Sequence, residues 1–209
     1  MKYIIKSIMN KGWLKVLPFY LFTLLPLLTS CSEESSEVSE FDNWQARNEQ
    51  YLAAVVNDSL KQSNWMRIKK FSLDQTEEGS VSDYVYVKVI ESGDETSCPS
   101  YTDSVRVIYQ GRLIPSDSYP LGYVFDGTVN GTYSKKSSAT SRQKLSNMLD
   151  GYATVLQHMH RDDYWRIYIP YQLGYGETDN GSVPAYSVLI FDLTLIDFSP
   201  VGTVMRPWS

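Results

Sequence analysis

Val188-Leu189-Ile190-Phe191-Asp192-Leu193-Thr194-Leu195-Ile196-Asp197-Phe198 is apolar on both faces for most of its length. A strand with one wet face would alternate, so this run reads as a central strand covered on each side. Upstream, three further segments carry the two-residue period of a strand. Tyr84 to Ile90 is closed by Ser92-Gly93-Asp94. Ser104 to Tyr109 puts Val105, Val107 and Tyr109 on one face. Tyr164 to Ile169 groups Trp165, Ile167 and Ile169 before Pro170 stops it. Between them Met148, Leu149, Tyr152, Leu156 and Met159 recur at helical spacing. Several antiparallel strands wrapping one short helix define an α+β domain over residues 84–200, with 201–209 as a tail. No internal repeat is visible.

Two segments depart from this pattern. In residues 41–61 the apolar positions Phe41, Trp44, Tyr51, Leu52, Val55, Val56 and Leu60 fall largely on one stripe. That predicts an amphipathic helix in an N-terminal helical extension, residues 41–83, which packs on the domain or on a second copy of itself as a homodimer. Residues 127–143 are rich in Gly, Ser, Thr, Asn and Lys, with Val129 and Tyr133 as their apolar anchors. They read as a long loop or a loosely held edge strand, the kind of segment that often carries function.

Five short clusters sit where strand or helix turns into loop: Tyr109-Gln110-Gly111, Phe125-Asp126, Met148 to Tyr152, Tyr175-Gly176 and Phe191-Asp192. Aromatics drawn from separated elements can converge on one apolar pocket, with a few polar tips to orient what enters. Each residue alone has a plainer reading. Tyr109 and Phe191 are ordinary core aromatics, Asp126 is the turn residue of an Asp-Gly pair, and Tyr152 with Met148 forms a buried helix face. His158 and His160, two apart, point to different sides of a helix and make a poor metal site.

The order and spacing of the clusters over residues 84–198 resemble the FKBP-type peptidyl-prolyl cis-trans isomerases. The resemblance implies an aromatic cup that holds a proline ring. Tyr109 is the strand Tyr of that cup, and Phe125-Asp126 its Phe-Asp pair. Met148 and Leu149 stand where Val and Ile are usual, and the Leu149 N–H donates to a substrate carbonyl. Tyr152 takes the place of the floor Trp, Tyr175 is the hydroxyl donor to the substrate backbone, Val183-Pro184 is similar to the loop Ile-Pro, and Phe191 closes the wall. The expected activity needs no metal or cofactor, and the expected ligands are proline-containing polypeptides. The chain departs from the family pattern in four places. Gln143, Lys144 and Leu145 lie where a Phe-x-Phe wall is usual, Tyr152 replaces Trp, Asp162 replaces a Gly, and the Arg that pairs with the Asp is not evident; Lys135, Lys136 or Arg142 could substitute. These departures leave a non-catalytic peptide-binding module, or a structural surface lipoprotein, as alternatives.

The N-terminus and composition bound the setting. Lys2, Lys6, Lys11 and Lys15 precede the apolar stretch Val16 to Leu28, which is interrupted by Pro18 and Pro26. It is shorter than the ~20 residues of a spanning helix and reads as a signal peptide, residues 1–30. Leu28-Thr29-Ser30-Cys31 looks like a bacterial lipobox, so Cys31 is the expected lipidation site, followed by an acidic tether to residue 40. The expected location is the bacterial cell envelope, lipid-anchored at the outer membrane, with the domain facing the periplasm or the surface. Residues 1–30 hold four Lys and no acid; the remainder has 15 basic and 24 acidic residues, a net charge near −9. That balance argues against nucleic acid as a partner. With Cys31 acylated, Cys98 is the one remaining thiol, so the core alone must stabilise the fold.

Overall fold

The computed structural model describes residues 39–207 apart from Leu60, Asp94 and Glu95. The signal, lipobox and tether readings, and the Leu60 position of the helical stripe, lie outside these residues. The compact unit spans Ser39–Ser209. It contains one seven-stranded antiparallel sheet: β1 (Trp65–Lys69), β2 (Tyr84–Glu91), β3 (Ser104–Arg112), β4 (Val124–Gly127), β5 (Ser141–Lys144), β6 (Tyr164–Ile169) and β7 (Leu189–Ser199). The strand order is β1-β2-β6-β7-β3-β4, with β5 also paired to β3. The helices are α1 (Trp44–Ser59) and α2 (Asp150–Leu156). This is the expected α+β architecture. The run at 188–198 is the central strand, flanked by β6 and β3.

Both faces of β7 are covered, which is why its sequence does not alternate. On one face Val85, Val87, Val105, Val107, Ile167, Ile169, Leu193 and Leu195 are fully buried around α2, together with Val155, Leu156 and Met159. α2 can lie this close because residue 151 is Gly: a Cβ there would stand 2.5 Å from Ile169 Cγ2. On the opposite face Tyr51 of α1 meets Tyr168 at 6.4 Å between ring centroids, and Trp65 of β1 stacks on Tyr168 at 5.5 Å. Trp44 and Leu52 of α1 are buried in the same core, each contributing roughly 1.5–3 kcal/mol or more. The expected amphipathic helix therefore packs its apolar face on its own domain. Residues 41–83 are not purely helical, because β1 extends the sheet edge by pairing with β2 from Trp65↔Lys88 to Lys69↔Tyr84.

The segment 127–143 is anchored where the sequence placed its apolar residues. Val129 packs with Ile108 and Ile196 on the outer face of the sheet, and Tyr133 covers them. The Tyr133 ring stacks on Tyr164 at 4.5 Å, and its hydroxyl hydrogen-bonds Thr194 Oγ1 at 2.9 Å. The residues that close the segment enter β5. The helix is shorter than the spacing suggested. Met148 (φ −90°, ψ 164°) and Leu149 (φ −55°, ψ 143°) are extended, so the α-helix begins only at Asp150. Met159 lies past its end, in a turn where Asp162 takes φ +74°. That left-handed conformation is where Gly is usual, and Asp is one of the few residues that tolerates it. The C-terminal tail is tied down as well: Met205 is buried, and Arg106 Nη1 donates to the Arg206 carbonyl at 2.7 Å.

Candidate active site

Three of the candidate side chains meet at a fourth, Phe191. Its ring centroid lies 5.2 Å from Tyr152, 5.5 Å from Phe125 and 6.3 Å from Tyr109. Tyr109 and Tyr152 are themselves 6.3 Å apart, edge to face. Register explains the convergence. Gly111 of β3 stands opposite Phe191 of β7 on one side and opposite Asp126 of β4 on the other. Both phenyl rings lie over that glycine. A Cβ on residue 111 would stand 2.6 Å from Phe191 Cε1 and 2.7 Å from Phe125 Cζ. Gly111 is thus the point where both rings close on the sheet, a close approach that the Tyr109-Gln110-Gly111 run alone does not reveal.

Tyr152, on the first turn of α2, is buried beneath this group at the expected floor position, its hydroxyl without a partner among the described residues. Burial holds its phenol well above the usual range, with Tyr109 and Asp126 adding to the effect. The Tyr109 hydroxyl donates to Asp126 Oδ2 at 2.8 Å. Its pKa is pushed up by burial first and by that carboxylate second. Tyr175 is half-buried and likewise raised, by burial and then by Asp126. The three hydroxyls are therefore kept protonated, and Tyr175 has its proton available, since no protein acceptor takes it among the described residues. Val183 is buried in the core and closes the 174–187 loop against Asn180. Met148 and Leu149 are partly buried and pack on the same core. The Leu149 carbonyl receives the Ala153 N–H at 2.9 Å, while its own N–H, ahead of the helix, enters none of the backbone bonds.

Asp126 is held differently from the family pattern. Its Oδ1 accepts the Gly127 N–H at 2.8 Å, and no cation pairs with it among the described residues. Lys135 instead pairs with Asp162, and Arg142 stands opposite Arg106 on β3, so neither supplies the expected partner. The residues at the place of the Phe wall are directed elsewhere. β5 pairs with the start of β3, Ser104 to Val107, away from the Tyr109–Gly111 end, and Leu145 is completely buried. Behind the cup, on the outer face of the sheet, Asp192 accepts Arg166 through Nε at 2.6 Å and Nη2 at 2.9 Å, and Arg112 Nη1 at 2.9 Å. This half-buried cluster ties β3, β7 and β6 together directly behind Phe191. A separate cavity of about 450 Å³, lined by Phe41, Trp44, Leu113, Tyr119, Tyr123 and Ser182 among others, shares no residue with the cup. Cys98 is partly buried, and burial raises its thiol.

The site is thus an aromatic group drawn from β3, β4, α2 and β7 on an antiparallel sheet around a short helix. Residues 95–196 match the profile of the FKBP-type peptidyl-prolyl cis-trans isomerases. The chain is 33% identical over 114 residues to a macrophage infectivity potentiator of Trypanosoma cruzi, covering 54% of this chain and 52% of that one. It is 32% identical over 130 residues to a 22 kDa FKBP-type peptidyl-prolyl cis-trans isomerase of Escherichia coli, covering 62% and 54%. The chain thus spans about half the length of these curated relatives. The crystal structure of FkpA from Escherichia coli has the same fold, with a TM-score of 0.56 at 22% identity, over 78% of this chain and 64% of that one.

Proposed function

We propose that this protein is a peptidyl-prolyl cis-trans isomerase acting on proline-containing polypeptides. One observation carries the reading: the Phe191-centred group of Tyr109, Phe125 and Tyr152, with the Leu149 N–H and the Tyr175 hydroxyl without protein partners among the described residues. An X–Pro amide is held planar by resonance with a barrier of about 18–20 kcal/mol, and unaided isomerisation takes tens to hundreds of seconds. In the twisted transition state that resonance is lost. A dry aromatic cup fixes the proline ring, and two donors hold the flanking carbonyls, so the amide rotates about a fixed half. Asp126 anchors the Tyr109 wall by accepting its hydroxyl. No group on the protein has to exchange a proton or form a bond. Protease-coupled isomerisation of X–Pro tetrapeptides tests this; a folded protein without turnover refutes it.

A non-catalytic peptide-binding role is the second reading. It is favoured by the missing aromatic wall, since β5 pairs with the start of β3 and Leu145 is spent in the core. The same assay separates the two. For its setting we read a lipid-anchored envelope protein, on the lipobox at Cys31 and the acidic tether, with exported polypeptides as clients and the negative balance arguing against nucleic acid. Among the described residues no helix is long and apolar enough to cross a membrane. Metabolic acylation of wild type and Cys31→Ser checks the anchor. A homodimer through residues 41–61 would use the face of α1 opposite Trp44, Asn48 and Leu52, and sedimentation with Ala46→Arg or Gln50→Arg checks it.

A further inference from the structure

We propose that α1 positions part of the isomerase site: Trp44 and Asn48 hold the 174–187 loop in the conformation that presents Tyr175 and Val183 to the cup. The inference rests on the isomerase reading above and extends it to a helix outside the matched segment, residues 95–196.

The loop is pinned at its start by its own backbone. Gly174 and Gly176 N–H groups both reach the Tyr171 carbonyl, at 3.0 and 2.9 Å. Its middle closes through the reciprocal Asn180 and Val183 bonds, at 2.8 and 2.9 Å, and through Ala185 N–H to Asp179 Oδ1 at 2.8 Å. Its end is strained. Tyr186 takes φ +61°, a left-handed conformation that bulky residues avoid. Such a residue persists where its surroundings over-determine it. Tyr186 is held by its N–H to the Gly176 carbonyl at 2.9 Å and by an edge contact of its ring with Tyr171 at 5.2 Å. The next two residues are held by α1.

Trp44 Nε1–H donates to Ser187 Oγ at 2.9 Å, and the Ser187 hydroxyl donates to the Pro184 carbonyl at 2.6 Å, one residue from Val183. Asn48 Oδ1 accepts the Val188 N–H at 2.8 Å, and its Nδ2 donates back to the Trp44 carbonyl at 2.8 Å. All four residues are buried, Asn48 completely. An amide in the apolar stripe of a helix is costly unless both its ends are satisfied. Leu would bury more apolar surface at that point, so packing alone does not account for the Asn. These bonds do account for it. They join residues about 140 positions apart and end on the strained turn. Trp44 and Asn48 are positioning residues that act through Ser187 and Val188 and touch no substrate.

The test uses Trp44→Phe, which keeps a six-membered aromatic ring and removes the Nε1 donor, with Ser187→Ala, their double variant, and Asn48→Ala. Gln50→Ala, on the exposed side of α1, is the control. In each case kcat/KM on an X–Pro tetrapeptide is read beside the thermal midpoint and amide hydrogen exchange. The expected result is a fall of roughly tenfold in kcat/KM for Trp44→Phe and for Ser187→Ala. The double variant falls no further than Ser187→Ala, which removes the Trp44 bond together with the bond to Pro184. Exchange at Val183, Tyr186 and Val188 speeds up by roughly tenfold, while the β3 and β6 amides keep their protection. Turnover within roughly twofold of wild type in the folded single variants overturns the inference. So does an equal loss in Gln50→Ala, or exchange that rises uniformly with global stability. A wild-type protein without turnover refutes the isomerase reading instead; the exchange comparison still decides whether α1 holds the loop.

Discussion

Replacing Gly111 with Ala probes the cup at the point where three of its elements meet. Gly111 is not among the glycines with positive φ, so the backbone accepts Ala and the effect is steric. The new Cβ would stand 2.6 Å from Phe191 Cε1, 2.7 Å from Phe125 Cζ and 2.9 Å from Phe125 Cε2. Carbon atoms in ordinary contact sit about 3.5–4.0 Å apart, so both rings must retreat by roughly 1 Å. Phe191 has little room, being buried against Tyr109 and Tyr152, whereas Phe125 is half-exposed and gives way first. Overpacking of this kind costs about 1–3 kcal/mol. For a chain of this size that lowers the thermal midpoint by roughly 3–10 °C. Misplacing a cup wall by about 1 Å is expected to lower kcat/KM on the order of a hundredfold. The assay is protease-coupled isomerisation alongside a thermal melt. A folded Gly111→Ala protein with turnover within roughly threefold of wild type would refute the assignment of Phe125 and Phe191 to the site.

Three further expectations concern the hydroxyls. Tyr152→Phe removes a buried hydroxyl that has no partner; since an unsatisfied polar group costs about 1–3 kcal/mol, stability should rise, by about 1 kcal/mol or 2–4 °C. Turnover should hold, and a loss of turnover would show that the hydroxyl engages the substrate. Tyr175→Phe removes a donor that the protein itself does not use, so the melt should be unchanged while kcat/KM falls by roughly tenfold. The third is alkaline sensitivity. Burial raises Tyr109, Tyr152 and Tyr175 above their unfolded value of about 10. The stability they contribute is fully present below that value and is lost as pH rises beyond it, when the unfolded phenols ionise first. Turnover should therefore be flat from about pH 7 to 10, with the melting temperature falling only above; a titration of kcat/KM below pH 9 would contradict this.

Much of this architecture was legible because it rests on burial patterns. The run at 188–198, apolar for most of its length, marks the central strand, whose inner face packs around α2 and whose outer face meets Val129 and Tyr133 of the 127–143 segment. Val105, Val107 and Tyr109 share the face that leads into the cup. The order of the aromatics along the chain followed the order in which β3, β4, α2, the 174–187 loop and β7 reach the cup. What escaped depends on contacts across long separations. β1 is an edge strand with only Ile68 fully buried, so its sequence does not alternate. Met148 and Leu149 keep helical spacing yet stay extended, which spacing alone does not reveal. Asn48 reads as a polar interruption of a stripe until its partner, the Val188 N–H, is in view. The missing partner of Asp126 is likewise a matter of geometry, since Lys135 is near in sequence but pairs with Asp162.

The measurement that bears most directly on the account is protease-coupled isomerisation of an X–Pro tetrapeptide series by the purified protein, with and without an FKBP-directed macrolide. The account predicts turnover that the macrolide abolishes, because both ligands need the same group around Phe191. A folded protein with no turnover, or with turnover indifferent to the macrolide, would contradict it.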